Sequence, residues 1–179
     1  MDQSCGCKTM DDNTRLKVYL FGSTDLSVIP DVVKSHMEAI LQQRPDTLFI
    51  VGDNVSIDSG YHKTLSAIGA RQNSRIYALD RVRNNHYELD TILFETKFDE
   101  DEGKAYITYN NDVIETIEVE KASALSSMNE YYMFTTRRML QDCDFAICYW
   151  GGENKTALRT INSLKARSKY VYVYTAQVR

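Results

Sequence analysis

Small, polar and hydrogen-bonding residues follow four apolar segments of the chain, at the points where the segments end. If these segments are strands of a parallel sheet, the residues that follow them gather along one edge of it. Backbone N–H groups, hydroxyls and cations gathered in this way suit an anionic ligand that carries a sugar. The four groups are Gly22-Ser23-Thr24-Asp25, Gly52-Asp53-Asn54-Val55-Ser56-Ile57-Asp58, Asp80-Arg81-Val82-Arg83-Asn84-Asn85-His86 and Gly151-Gly152-Glu153-Asn154-Lys155-Thr156.

Two of these groups have the composition of a phosphate-binding loop. Gly22 allows close approach of the backbone to a ligand, and Ser23 and Thr24 add hydroxyls. Gly151-Gly152 precedes a predicted helix whose first turn holds Asn154, Lys155 and Thr156, so backbone donors, the positive helix end and an ammonium group can act together. The alternative for Gly22-Ser23-Thr24 is a plain turn followed by a helix cap.

The other two groups supply charged and amide side chains. Arg83 suits charge-assisted hydrogen bonds to phosphate, and Asn84 and Asn85 suit contacts with a sugar or base. Asp53 and Asp58 suit ribose hydroxyls or the polarisation of a water molecule. For Asp58, capping of the second helix is the competing interpretation.

The chain lacks the motifs of several common cofactor sites. No GxxxxGK[ST] and no GxGxxG occurs, which argues against a Walker A loop and against the usual mode of NAD binding. Cys5-Gly-Cys7 is an isolated pair of thiols, and His86 has no partner at metal-ligand spacing. His36 and His62 fall in predicted helices, where we expect them at the surface. We therefore predict neither a metal site nor a cofactor.

The elements that position these loops alternate along the chain. Apolar runs at 16–21, 47–51, 75–79, 144–150 and 170–174 predict buried strands, and helical spacing predicts helices over 30–43, 58–69, 124–143 and 154–166. Strands that are apolar on both faces and separated by helices indicate an open, mostly parallel sheet of about five strands with helices on both faces.

Residues 91–120 break this pattern, because apolar and charged residues alternate there. This alternation predicts an antiparallel β hairpin or meander inserted at about 90–120, with an edge extension, a lid or a dimer arm as its possible roles.

Composition limits the class of protein. With 179 residues, the chain predicts a single domain over 15–179 behind a flexible leader at 1–14. A net charge of −4 argues against binding to duplex DNA, and no apolar run is long enough for a membrane span. The N-terminus lacks the apolar segment of a secretory signal, and the four cysteines fit reduced thiols. We expect a soluble, cytoplasmic protein without a membrane partner.

The ordered set of motifs resembles the SLOG superfamily, Rossmann-like proteins related to DNA-processing protein A and the lonely-guy enzymes. The resemblance is closest to a small bacterial and phage branch and covers about residues 16–88 and 124–175. The matching segments are Tyr19-Leu20-Phe21-Gly22-Ser23-Thr24, Val51-Gly52-Asp53 with Ile57-Asp58, Arg83-Asn84-Asn85, and Cys143-Asp144-Phe145-Ala146-Ile147-Cys148-Tyr149-Trp150-Gly151-Gly152 with Asn154, Thr156 and Asn162.

The resemblance implies a protein that binds a nucleotide or a nucleotide-derived molecule and forms a homodimer or higher homo-oligomer. Some relatives cleave N-glycosidic bonds, and lonely-guy enzymes use a PGGxGTxxE loop for this. Here no proline precedes Gly151, no glycine precedes Thr156, and Arg159 stands at the glutamate position. Thr135-Thr136 replaces a Lys-Asp pair of the close branch, with Arg137 and Arg138 directly after it.

Three functions follow as hypotheses. The first is a sensor or sponge for a nucleotide-derived small molecule, bound by the loops above with Trp150 beside them. The second is a nucleotide N-glycoside hydrolase or transferase, with Asp58 as the carboxylate and Arg83 or Arg138 on the phosphate. The third is binding of single-stranded DNA, against which the acidic composition argues.

Overall fold

One mixed sheet runs through the computed structural model, which describes residues 14–79, 89, 91–99, 104–109, 112–118 and 128–176. The strands are β1 (Lys17–Gly22), β2 (Leu48–Val51), β3 (Ser74–Leu79), β4 (Thr91–Asp99), β5 (Lys104–Tyr109), β6 (Asp112–Glu118), β7 (Phe145–Trp150) and β8 (Tyr170–Thr175). The α-helices are α1 (Asp31–Gln43), α2 (Ile57–Ala67), α3 (Met128–Asp142) and α4 (Lys155–Ala166).

The strand order places the candidate loops at one edge. The five strands predicted from the sequence are parallel and lie in the order β3-β2-β1-β7-β8. The chain therefore runs outward from β1 in one direction through β2 and β3, and in the other direction through β7 and β8. The crevice between the carboxyl ends of β1 and β7 is the topological switch point, where open α/β sheets bind their ligands.

Side chains that alternate along each strand explain why helices cover both faces. Val18 and Leu20 of β1 pack into a cluster with residues of α1 and α2, whereas Tyr19 and Phe21 pack with residues of α3 and α4. Complete burial of a side chain such as Leu20 stabilises the fold by about 1.5–3 kcal/mol. The prediction of an open α/β sheet is confirmed.

Three more strands continue the sheet beyond β3. β4 pairs in parallel with β3, and β5 and β6 then follow in antiparallel pairing with a register shift at Ile107 and Thr108. β6 and β8 are consequently the two edges of the sheet.

Helix ends lie close to the predicted ones, and the start of α1 and the end of α2 each have a local cause. Pro30 precedes the first turn of α1, where its missing N–H has no consequence. Gly69, at φ +75°, follows α2 in the left-handed conformation that commonly ends a helix. Residues 1–13 of the predicted leader lie outside the described residues. In the described part of the chain, no helix has the length and apolar character to cross a membrane.

Candidate functional site

A close backbone approach defines the crevice between β1 and β7. A Cβ atom at Gly22 would lie 2.2 Å from the carbonyl oxygen of Tyr149, a distance that no real side chain tolerates. Gly22 also pairs with Tyr149 in the register of the two strands. The close approach at Gly22 is thus to the neighbouring strand, and the predicted approach to a ligand stays a prediction.

Ser23 joins the two loops that border this crevice. Its side chain is fully buried, and its hydroxyl accepts a hydrogen bond of 2.8 Å from the N–H of Gly151. Its own N–H donates to the carbonyl of Tyr149, and its carbonyl accepts from the N–H of Leu26 in a turn. Two of the predicted ligand groups, the Ser23 hydroxyl and the Gly151 N–H, are thus bonded to each other.

Asn154 makes the second connection between these loops. Its side-chain oxygen accepts from the N–H of Ala157 at 2.9 Å, which caps α4, and its amide nitrogen donates to the Thr24 hydroxyl at 3.0 Å. Trp150 is partly buried and donates from Nε1 to the carbonyl of Asn154 at 3.2 Å. We call Ser23, Thr24, Gly151 and Asn154 the switch-point clasp.

Beside the clasp, several polar groups face solvent. Gly152 has φ +93° and open space around its Cα, and Lys155 and Thr156 are exposed in the first turn of α4. The partial positive charge of a helix N-terminus favours an anion at this place. Asp25, which the sequence argument did not single out, lies opposite, with its carboxylate oxygens 3.7 and 3.9 Å from the position of a Cβ on Gly151.

The loop after β2 holds the predicted carboxylates. Asp53 is buried, and Asp58 is a partly accessible residue in the first turn of α2. One oxygen of Asp58, Oδ2, accepts from the N–H of Asn54 at 2.9 Å and would lie 2.7 Å from a Cβ on Gly52. The hydrogen bond of Asp58 therefore stabilises the loop after β2. The N-cap residue of α2 is Ser56 and not Asp58.

Desolvation makes the Asp58 carboxyl a weaker acid than an ordinary aspartate. Enclosure by the surrounding chain raises its pKa from 3.8 to about 7, the Asn54 N–H lowers that pKa in part, and the neighbouring Asp53 charge raises it further. A carboxyl with a pKa near 7 can donate and accept a proton at neutral pH, the property that a general acid–base group needs.

The charge of the Asp58 carboxyl acts on two buried tyrosines, Tyr61 of α2 and Tyr19 of β1. The Tyr61 hydroxyl donates to the carbonyl of Phe21 at 2.9 Å, and burial together with the charges of Cys148 and Asp58 raises its pKa. Burial first, and then the Asp58 charge, likewise raises the pKa of Tyr19. These tyrosines stay neutral hydroxyl donors at physiological pH.

His62 corrects the sequence-based expectation of a surface histidine. It is completely buried, and its Nε2 lies 2.8 Å from the carbonyl oxygen of Gly52. Because a carbonyl only accepts, Nε2 carries the hydrogen. The signal was present in the sequence, since His62 shares the face of α2 with Asp58, Tyr61 and Leu65, which follow one another at spacings of three and four residues.

The remaining predicted residues are Arg138, which is paired within α3, and residues outside the described part of the chain. Arg138 Nε lies 3.5 Å from Asp142 Oδ2, one turn on in α3, and Asp142 also accepts from the Tyr77 hydroxyl at 2.7 Å. Arg83, Asn84 and Asn85 lie outside the described residues, as do Cys5 and Cys7.

No cluster of three or more His, Cys, Asp or Glu side chains suited to a metal ion occurs within the described residues. Cys143 and Cys148 are free and buried in the core, and burial raises the pKa of the Cys148 thiol to about 12, so it packs as an apolar group.

Fold and site together define an α/β protein with a Rossmann-like strand order and a polar switch point. No protein-family model matches the chain, and no curated protein or solved structure matches it either.

Proposed function

We propose that this protein binds a nucleotide or nucleotide-derived small molecule at the carboxyl edge of its sheet, as a sensor or a sequestering protein. The observation that carries the proposal is the switch point between β1 and β7, bordered by loops that Ser23 and Asn154 hold together. Loops fixed in this way are a preorganised frame, which reduces the entropy lost on binding. The motif resemblance to the SLOG superfamily supports the same ligand class.

The polar groups suggest an orientation for the ligand. A phosphate group fits at the first turn of α4, beside the Lys155 ammonium and the Gly152 backbone. The carboxylates of Asp25 and Asp53 repel phosphate but accept hydrogen bonds from ribose hydroxyls or a base amino group. The sugar and base therefore extend toward β1 and β2, and in this proposal Arg83, Asn84, Asn85 and Trp150 complete the site.

The experiment begins with native mass spectrometry of the purified protein, followed by denaturation and identification of any released compound. Calorimetry then tests nucleoside mono- and diphosphates, ADP-ribose and cyclic dinucleotides. Lys155→Ala removes one charge-assisted hydrogen bond, which contributes about 1.5–3 kcal/mol to binding. The variant is therefore expected to bind about tenfold to a hundredfold more weakly. Lys165→Ala, at the other end of the same helix, is the matched control and keeps the wild-type affinity. Absence of binding across the panel would overturn the proposal.

A second candidate, a nucleotide N-glycoside hydrolase or transferase, is favoured by the Asp58 carboxyl, whose pKa is about 7. In its protonated form Asp58 can supply a proton to the leaving base. This role predicts release of free base from a nucleoside monophosphate by the wild type and none by Asp58→Asn. Equal release by both proteins would reject the assignment of Asp58.

The same proposal includes the interpretation of residues 90–120 as a β insertion into a nucleotide-binding core. Support comes from the alternating sequence of this segment and from its place beyond β3, away from the switch point. The homo-oligomer implied by the resemblance also belongs to this proposal.

A further inference from the structure

The edge strand β8 is apolar and accessible over its whole length. Tyr170, Tyr172 and Val173 are 64%, 40% and 41% exposed, and Leu158 of α4, the helix that packs on β8, is 41% exposed. These are four of the seven large apolar side chains exposed among the described residues. From Tyr170 to Ala176 the sequence holds no charged residue and no proline.

The pairing of β8 with β7 determines which of its backbone groups lack a partner strand. The N–H of Ala176 donates to the carbonyl of Trp150 at 2.8 Å, in register with the pair Trp150 and Thr175. In a parallel strand, alternate residues direct both N–H and C=O to the same side. The N–H and C=O groups of residues 170, 172, 174 and 176 thus point toward β7. Those of Val171, Val173 and Thr175 point toward the open edge.

The other edge of the sheet is different. β6 carries three acidic residues, Asp112, Glu115 and Glu118, within its seven positions. Charged residues on an edge strand discourage pairing with another strand, because their desolvation is unfavourable. β8 has none of this protection, although both strands end the same sheet.

We propose that β8 pairs in antiparallel fashion with β8 of a second copy of this chain, so that the two sheets become continuous. The two copies are then related by a two-fold axis perpendicular to the sheet, and residues opposite each other lie on the same face. Tyrosines therefore lie opposite tyrosines, and valines lie opposite valine or threonine. The tyrosine face is already ordered: the Tyr172 ring lies 4.6 Å from the His36 ring, and the Tyr174 hydroxyl lies 2.7 Å from His36 Nδ1. Aromatic cross-strand pairs of this kind stabilise antiparallel ladders.

A second copy is the occupant that the uncharged edge favours. An edge without charged residues needs no complementary charge on its partner. The alternation of tyrosine with valine or threonine is the same in both chain directions, so an antiparallel copy presents the same residue types. The axis lies at Tyr172 or at Val173, and in both registers the N–H of Val173 takes part in the new ladder. Residues 155–169 hold five cations and no acidic residue, so two copies repel each other through α4 at low salt. Screening by salt therefore strengthens the pairing.

The test is sedimentation equilibrium of the full chain over a dilution series, at low and high ionic strength. The expected result is a mass that rises from 20.6 kDa to twice that value, with tighter association at high salt. Amide hydrogen exchange at Val171, Val173 and Thr175 slows as the dimer forms, whereas exchange within β1 does not change.

Variants separate the edge from the rest of the protein. Val173→Pro removes an outward N–H and leaves the ladder to β7 intact, because proline is tolerated at an edge position whose N–H faces solvent. It is expected to stay monomeric at every concentration with a normal circular dichroism spectrum. Val173→Lys keeps the N–H but adds a charge to the edge, and it is also expected to stay monomeric. It replaces Val173→Pro in the test if the proline variant does not fold.

Val28→Lys is the control, since Val28 is 79% exposed and lies outside β8. It is expected to dimerise as the wild type does. A wild type that stays monomeric at all concentrations and salt conditions, or a dimer that persists in both Val173 variants, overturns the proposal. Neither outcome depends on nucleotide binding, so the ligand proposed above is tested independently, whereas a monomeric wild type would also contradict the homo-oligomer included there.

Discussion

The carbonyl oxygen of Tyr149 occupies the place where a side chain of residue 22 would begin. A Cβ on Gly22 would lie 2.2 Å from that oxygen and 3.1 Å from the Ile57 side chain. Since both neighbours belong to the packed core, neither can move away without disturbing β7 or α2. The contact fixes the width of the switch point at its base.

Gly22→Ala is predicted to destabilise the protein by about 1–3 kcal/mol, the usual effect of overpacking a core. Urea denaturation followed by circular dichroism measures this change. Gly69→Ala is the control: Gly69 has φ +75°, and a Cβ there would meet no atom within 4 Å, so the variant tests conformational strain without a clash. We expect the Gly69 variant to lose about 1 kcal/mol. Equal losses at the two positions would contradict the close approach at Gly22.

Asp58→Asn is predicted to change how stability depends on pH. Because folding raises the pKa of Asp58 from 3.8 to about 7, the folded state binds more protons than the unfolded state between these values. The contribution of Asp58 to stability is therefore fully present below about pH 4 and is lost as the pH rises to about 7. The asparagine side chain carries no charge, so the variant lacks this decline and is expected to be more stable than the wild type under mildly alkaline conditions.

Denaturation midpoints measured in acidic, near-neutral and mildly alkaline buffers, at about pH 4.5, 6 and 8, test this prediction. Asp31→Asn makes the same change in the first turn of α1, at an exposed position, and controls for the effect of a carboxylate on a helix N-terminus. Parallel pH curves for the wild type and Asp58→Asn would rule out a raised pKa at Asp58.

Asn154→Ala and Thr24→Val separate the two bonds of the Asn154 side chain. The first removes both the cap on Ala157 and the bridge to Thr24, and is expected to lose about 1 kcal/mol of stability, mostly from the cap. The second removes only the exposed bridge and is expected to be nearly neutral. Thermal unfolding measures both. A loss in Thr24→Val as large as in Asn154→Ala would assign the stability to the bridge instead.

His62→Leu is predicted to cost about 1–3 kcal/mol, because the buried carbonyl of Gly52 loses its donor. His62→Gln places an amide N–H near the position of Nε2 and is expected to recover part of this loss. Guanidinium denaturation compares the two. If the leucine and glutamine variants behave alike, the imidazole contributes through packing and not through its hydrogen bond.

The central sheet was predictable from sequence because its strands are buried on both faces and read as short apolar runs. The helix signals were equally local, as Pro30 before α1 and Gly69 after α2 illustrate. The strand order was not contained in these signals, since it depends on contacts between segments as distant as Lys17 and Asp144, 127 positions apart.

The candidate site was predictable in its residue types but not in its internal bonds. The reasoning from parallel strands placed Ser23 and Gly151 at the same edge, yet their mutual hydrogen bond follows only from the approach of β1 to β7. The expectation of a surface histidine at position 62 is wrong because the position of a residue on the buried face of a helix outweighs the polarity of its side chain. The proximity of Asp25 to Gly151 is likewise a tertiary relationship that the sequence does not contain.

The position of β1 between β2 and β7 has a consequence for synthesis on the ribosome. β1 gains its second neighbour only when residues 145–150 have left the exit tunnel, more than a hundred residues after β1 itself. Until then, one side of β1 exposes unpaired backbone beside apolar side chains. The nascent chain thus passes through a long interval in which β1 is paired on one side only and its apolar side chains can attract chaperones.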